Sequence, residues 1–168
     1  MKKLLMLGIV VTLLLIIPTV SFGLTSPSVS ESHGVITGMF VTPGGGFILG
    51  AEYGLAPQFA IAAEFGLTEG SGYKLGVKYE LNPNLALLGG LAGPGSNFFL
   101  GINGGTAFGK KLYGMGEVDL ISGGGEMIFQ FEAGAKYSLS SQLDIRAGVI
   151  GSSAGNGVNL EIGVGYKF

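Results

Sequence analysis

Apolar and polar residues alternate one by one along most of this chain, and the charged residues keep to one phase of the alternation. In the segment 158–168, VNLEIGVGYKF, Leu160, Ile162 and Val164 share one phase and Glu161 lies on the other. Successive side chains of a strand point to opposite faces, so the segment predicts a strand with one wholly apolar face. Such a face packs either on a protein core or against lipid. The pattern therefore restricts the chain to a soluble sheet protein or a membrane barrel.

This pattern recurs and predicts ten strands separated by clusters of Pro, Gly, Asn, Ser or Lys. The connections, such as NPN, GKK and SSQ, are short enough for hairpins between sequential antiparallel strands. No helical period is found outside the first 23 residues. The predicted strands are approximately 35–42, 46–55, 58–67, 72–81, 85–92, 98–108, 111–121, 126–138, 142–150 and 157–168.

Of the 18 charges after residue 23, 13 lie on the polar phase of a strand and five in the tail or connections, which leaves the apolar face free of charge. The 13 comprise 8 acidic and 5 basic side chains, a net charge of −3. We assign them to the interior of a closed sheet. They are Glu52, Glu64, Lys74, Lys78, Glu80, Glu117, Asp119, Glu132, Lys136, Asp144, Arg146, Glu161 and Lys167.

Glycine and alanine crowd the polar phase beside these single charges, which is typical of a narrow lumen in which small residues leave room for long ones. Aromatic residues on the apolar phase gather near strand ends, as in the two girdles of a membrane barrel, although aromatics also favour strands in general. The predicted girdle residues are Phe47, Tyr53, Phe59, Phe65, Tyr73, Tyr79, Phe98, Phe108, Phe129 and Tyr137. The sequence therefore predicts an all-β fold, a single antiparallel up-and-down transmembrane β-barrel of about ten strands, with eight as the alternative.

The first 23 residues have the features of a secretory signal peptide. Lys2 and Lys3 precede an apolar run that is too short for a membrane span before Pro18, and small residues lead to a cleavage point after Gly23. We therefore expect a removed signal at 1–23, a short polar tail at 24–33 and a barrel domain at 34–168.

The chain resembles the small bacterial outer-membrane β-barrel proteins, the OmpA-like, OmpX-like and opacity-type group, over essentially all of 34–168. The resemblance rests on the signal, the hairpin meander and a final strand ending in Phe. It implies location in the cell outer membrane, outer-membrane lipid as a partner, and recognition of the last strand by the barrel-assembly machinery. The residues matching that assembly signal are Leu160, Ile162, Val164, Tyr166 and Phe168. The resemblance also places NPN, GKK and SSQ at the periplasmic end, but every connection here is short, whereas the family's outward loops are longer.

Composition argues against several functions. Without Lys2 and Lys3 the chain has 7 basic and 11 acidic side chains, a net charge of −4, so we expect no nucleic-acid partner. It has no cysteine, and the single histidine, His33, precedes the first strand, so we expect no enzyme, no cofactor and no metal site. Glu117 and Asp119 share a face near the predicted outer rim and could form a carboxylate dyad, but lumen charges are the simpler interpretation.

Hairpin register predicts three interior pairs: Glu64 with Lys74, Lys136 with Asp144, and Arg146 with Glu161. Mutual neutralisation is their simplest role, and a narrow, weakly cation-preferring pore for small solutes or ions is the alternative. Two further hypotheses are a surface binding or adhesion barrel and a soluble secreted β-sandwich or lipocalin-like carrier.

Overall fold

A computed structural model describes residues 24–43, 46–67, 72–93, 97–123, 125–155 and 157–168. Ten strands account for most of these residues and confirm the predicted number, so the alternative of eight is wrong. Among the described residues, no helix is long and apolar enough to cross a membrane. The strands are β1 (Gly34–Thr42), β2 (Gly46–Ala56), β3 (Phe59–Gly66), β4 (Tyr73–Asn82), β5 (Leu85–Ala92), β6 (Asn97–Ala107), β7 (Leu112–Gly123), β8 (Glu126–Ser138), β9 (Leu143–Ser152) and β10 (Val158–Lys167).

Each strand pairs antiparallel with its neighbour in sequence, and β1 pairs with β10 to close the sheet into a barrel. Ile36 lies opposite Tyr166 at this seam. Gly34 and Phe168 exchange backbone hydrogen bonds of 2.9 and 3.0 Å there. Closure leaves no edge strand, as a sheet surrounded by lipid requires.

We name the two ends of the barrel by the chain termini. The terminal end holds Gly34, Phe168 and the connections at 57–58, 83–84, 108–111 and 139–142. The opposite end holds the other five connections, including β1–β2 and β9–β10.

Most outward side chains of every strand are apolar. Leu160, for example, is 60 % exposed on β10. A soluble protein rarely exposes a contiguous apolar surface of this extent. A single closed sheet also contradicts the soluble β-sandwich, and the apolar outer surface argues against the soluble carrier.

The aromatic side chains predicted to form girdles all lie within three residues of a strand end. Phe59 and Tyr79 pack edge to face at the terminal end, with ring centroids 6.0 Å apart. At the opposite end of the barrel, Phe65 and Tyr73 are cross-strand partners on β3 and β4. Of the ten predicted residues, Tyr73 is half-buried and the other nine are exposed.

Candidate functional site: the barrel interior

The thirteen charged residues assigned to the interior by sequence all lie on the inward phase of the strands. Four are half-buried: Glu52, Glu80, Lys136 and Lys167. The other nine are almost inaccessible to solvent: Glu64, Lys74, Lys78, Glu117, Asp119, Glu132, Asp144, Arg146 and Glu161. Because buried charge is unfavourable without a partner, the contacts among these groups decide what the interior can do.

Lys74 on β4 reaches across the lumen to two carboxylates on β7. Its Nζ lies 3.3 Å from Glu117 Oε1 and also contacts Asp119. The ammonium group lies 4.9 Å from the centroid of the Phe99 ring. Asn103 donates from Nδ2 to Glu117 Oε2 at 3.2 Å. Glu117 and Asp119 therefore lie near the middle of β7 around a shared cation, which corrects their predicted position near a rim with no converging group.

Lys78 is the centre of a second network, between the barrel wall and the segment before β1. Its ammonium contacts the Glu52 carboxylate on β2. It also donates to Thr25 Oγ1 at 3.0 Å and to the Ser26 carbonyl at 2.9 Å. One lysine thus joins two strands to the tail.

Arg146 forms a third network near the terminal end. Its Nε donates to Asp144 Oδ1 at 2.6 Å, and Lys167 Nζ lies 3.3 Å from Asp144 Oδ2. The other side of the guanidinium donates from Nη1 to the Leu24 carbonyl at 2.8 Å. Two residues on one strand and one on the next therefore fix the start of the described chain.

Two of the three predicted cross-strand pairs are wrong by one same-face step. Glu64 lies opposite Lys74 as predicted. Lys136, however, lies opposite Arg146, and Arg146 in turn lies opposite Gly163. In both hairpins the turn is centred one residue further along the chain than the sequence suggested, which moves each partner by two residues.

The start of the tail, residues 24–27, lies in the lumen, a position that sequence reasoning did not foresee. Leu24 is 2 % exposed, and Thr25 is also buried. The Thr25 carbonyl accepts a hydrogen bond from Asn103 Nδ2 at 3.1 Å. Nearer the terminal end, the Val29 amide donates to Glu80 Oε2 at 2.6 Å, and residues 30–33 are exposed. The start of the polar tail is therefore part of the interior.

Apolar side chains fill much of the lumen between the charged residues. One buried cluster contains Leu24, Met39, Val41, Ile48, Met115 and Ile150. A second contains Ala62, Leu88, Ala92, Phe99 and Ile121, with Ile128 packed against it. The sequence signal for these residues was weak because they share a phase with glycines and charges.

Inward glycines give the long side chains their space. A methyl group on Gly165 would overlap the Arg146 guanidinium, and one on Gly76 would lie 2.8 Å from the tip of the Phe99 ring. At Gly163 it would overlap the backbone of β1 and lie 2.6 Å from the Met39 sulfur. The spaces left by these glycines are thus occupied by neighbouring groups.

A cavity of about 480 Å³ lies at the terminal end, between the tail and the barrel wall. Its lining includes Lys136, Arg146 and Lys167 together with Glu52. Lys136 Nζ lies 4.9 Å from the centroid of the Tyr113 ring. Within the described ranges, no group of three or more histidine or acidic side chains has the arrangement of a metal site.

Solved structures with a similar fold are bacterial outer-membrane barrels. The KdgM porin matches with a TM-score of 0.51 at 13 % identity, covering 81 % of this chain and 99 % of that one. The NanC porin matches with a TM-score of 0.51 at 11 % identity, covering 80 % and 100 %. The N-terminal β-barrel domain of Pseudomonas aeruginosa OprF matches with a TM-score of 0.42 at 15 % identity, covering 82 % and 98 %. This chain has the porin-like fold of an outer-membrane β-barrel.

No protein-family model matches the sequence, and no curated protein matches it. What the interior of this barrel can do is therefore inferred from the side chains that line it. Apolar clusters and buried ion pairs share its interior, and its terminal end holds a cavity bordered by cations.

Proposed function

We propose that this protein is an integral outer-membrane barrel with a structural role and a lumen closed by its own side chains. The observation that carries the proposal is that the chain's own side chains occupy the lumen: two apolar clusters, the buried charged networks and the start of the tail. Met39 and Ile150 of the clusters and Lys74 of the networks have no exposed surface. An ion would have to leave its water to pass between such closely packed groups, which is unfavourable.

The outward apolar face supports the membrane location. An outer surface of this polarity matches the hydrocarbon region of a bilayer, and the aromatic residues near the strand ends match its two interfaces. We expect the protein to sediment with outer-membrane vesicles and to require detergent for extraction. Recovery in the aqueous fraction without detergent would contradict the membrane location.

Conductance across a planar bilayer tests the closed lumen. We expect the wild-type protein to give no current above background. A chain lacking residues 24–33 loses Leu24 but should stay closed as well, because Met39 and Ile150 still fill the lumen beside the charged networks. Adding Met39→Gly and Ile150→Gly to that deletion should open a path and give current, which shows that the assay detects an opened barrel. Steady current through the wild type would overturn the closed-lumen proposal.

A narrow pore is the second candidate function. It is supported by the cavity of about 480 Å³ at the terminal end and by the net charge of −3 on the inward residues. If the wild type conducts, the reversal potential in a KCl gradient decides its selectivity. We expect cations to be preferred if the buried carboxylates control passage, and anions if Lys136, Arg146 and Lys167 control it.

A further inference from the structure

Among the described residues, two carboxylates deep in the lumen form no ion pair. Glu132 on β8 and Glu161 on β10 are 3 % and 2 % exposed. They flank β9, where Glu132 lies opposite Ile150 and Glu161 opposite Gly148, the neighbouring inward residue, so the two side chains enter the lumen at neighbouring levels. None of their four oxygens has a hydrogen-bond partner among the described residues. A buried pair of carboxylates without hydrogen-bond donors is unfavourable. We therefore expect a cationic hydrogen-bond donor to bind between them.

The start of the tail lies at the same place. A methyl group on Gly148 would be 2.9 Å from Leu24 Cδ1 and 3.1 Å from Glu161 Oε1, so these two atoms flank a single point. Leu24 Cδ1 is equally close to the corresponding point on Gly134, the inward residue that follows Glu132 on β8. The Leu24 carbonyl is held by Arg146 at 2.8 Å, which fixes the orientation of this residue.

The backbone of Leu24 fits the first residue of a chain better than an internal one. Its φ is 50°, in the left-handed region that residues with a side chain seldom adopt. The angle φ exists only where a residue precedes, so cleavage before Leu24 removes this constraint.

We propose that Glu132 and Glu161 form the binding site for a primary ammonium group, the α-ammonium of Leu24 released by cleavage after Gly23. The new positive charge would supply up to three N–H donors to the orphaned carboxylate oxygens. The net charge of the inward set would fall from −3 to −2. Processing would thus complete the interior, and the tail would be held by its end as well as by Lys78 and Arg146. This inference rests on the expected cleavage site and not on whether the barrel conducts.

The first measurement is the mass of the protein purified from outer membranes, together with its N-terminal peptide. We expect the chain to begin at Leu24. A chain that begins elsewhere overturns the proposal.

The second measurement is competitive acylation of amines in the folded barrel, read by peptide mass spectrometry. The exposed Lys110 and Lys111 are the internal reference. An α-amine normally loses its proton at lower pH than lysine and is acylated preferentially near neutral pH. In the wild type we expect the Leu24 amine to react at least about tenfold more slowly than in unfolded protein, whereas equal rates overturn the proposal.

Glu132→Gln, Glu161→Gln and the double variant test the two acids. Each should speed acylation of the Leu24 amine, the double variant by about tenfold or more. Glu126→Gln on β8 is the matched control, because Glu126 is exposed, and it should have no effect. Unchanged protection in the double variant would mean that the tail alone buries the amine, which overturns the role of the acid pair. If the amide variants do not assemble, Glu161→Asp is the alternative, because it keeps the charge but shortens the side chain by one methylene. It should give a smaller increase in the acylation rate of the Leu24 amine. No increase in that rate would overturn the role of Glu161.

Discussion

The Arg146 guanidinium donates to the Leu24 backbone carbonyl across an Nη1–O distance of 2.8 Å. Its Nε donates to Asp144 Oδ1 at 2.6 Å, so a single side chain joins the tail to the barrel wall. The planar guanidinium can serve both partners at once because its donors point in fixed, different directions. The position of the tail in the lumen and the stability of the barrel therefore both depend on Arg146.

Replacing Arg146 should be costly for this reason. Arg146→Met leaves the buried Asp144 with Lys167 as its nearest cation, and we expect a loss of about 3 kcal/mol in the free energy of unfolding. Urea-induced unfolding of the refolded protein in detergent micelles measures this. Lys167→Met is the control: its side chain is 34 % exposed and contributes a contact at 3.3 Å, so its loss should cost below about 1 kcal/mol. Equal losses in the two variants would contradict the central role of Arg146.

Lys74 should behave as the shared counter-ion of the two carboxylates on β7. Lys74→Met leaves Glu117 and Asp119 buried without their cation, and we expect a loss of about 3–5 kcal/mol in the same unfolding assay. Adding Glu117→Gln and Asp119→Asn to Lys74→Met should restore most of that stability, because neither of these two positions on β7 then carries a charge without its cation. A triple variant no more stable than Lys74→Met would show that Lys74 acts through packing against Phe99.

Gly165 should tolerate no side chain. Gly165→Ala forces the Arg146 guanidinium out of its position beside Asp144, and overpacking of this kind typically costs about 1–3 kcal/mol. Gly109→Ala is the matched control, since nothing lies within 4 Å of the position its methyl group would take. Unfolding midpoints of the two variants in one detergent give the comparison, and indistinguishable midpoints would be inconsistent with a filled space at Gly165.

A lysine on the outward face should be penalised according to its depth. Ile162 lies in the middle of β10 and Tyr166 near its end. In lipid vesicles we expect Ile162→Lys to cost about 2–4 kcal/mol and Tyr166→Lys about 0–1 kcal/mol. Equal costs at the two positions would contradict a membrane around the middle of the barrel.

Phe168 should matter more for assembly in cells than for the stability of the finished barrel. We propose, on the resemblance of the last strand, that the barrel-assembly machinery recognises this residue. Phe168→Ala keeps the backbone hydrogen bonds to Gly34 at the seam. We therefore expect less folded protein in outer membranes, measured by heat-modifiable mobility in gels, with nearly normal refolding in detergent. Normal assembly in cells would remove the assembly role.

The strand pattern could be predicted because it depends on neighbours two residues apart. Predicted and observed strand ends agree within about two residues, and the single-phase distribution of charge identified both faces of the sheet. The interior was less predictable. Lys74 contacts carboxylates three strands away, and the partners of Lys136 and Arg146 depend on a one-residue difference in turn position.

The sequence by itself determined a meander of about ten strands and the face on which each charge lies, because alternation is a local property of the chain. Only the tertiary structure decided that the strands number ten and not eight, which charges meet across the lumen, and that the start of the tail enters it. These features depend on the width of the closed barrel and on the space that glycines such as Gly134 and Gly148 leave beside Leu24. Neither the barrel width nor that space produces a periodic pattern in the sequence, because both arise only when distant strands close around a common interior.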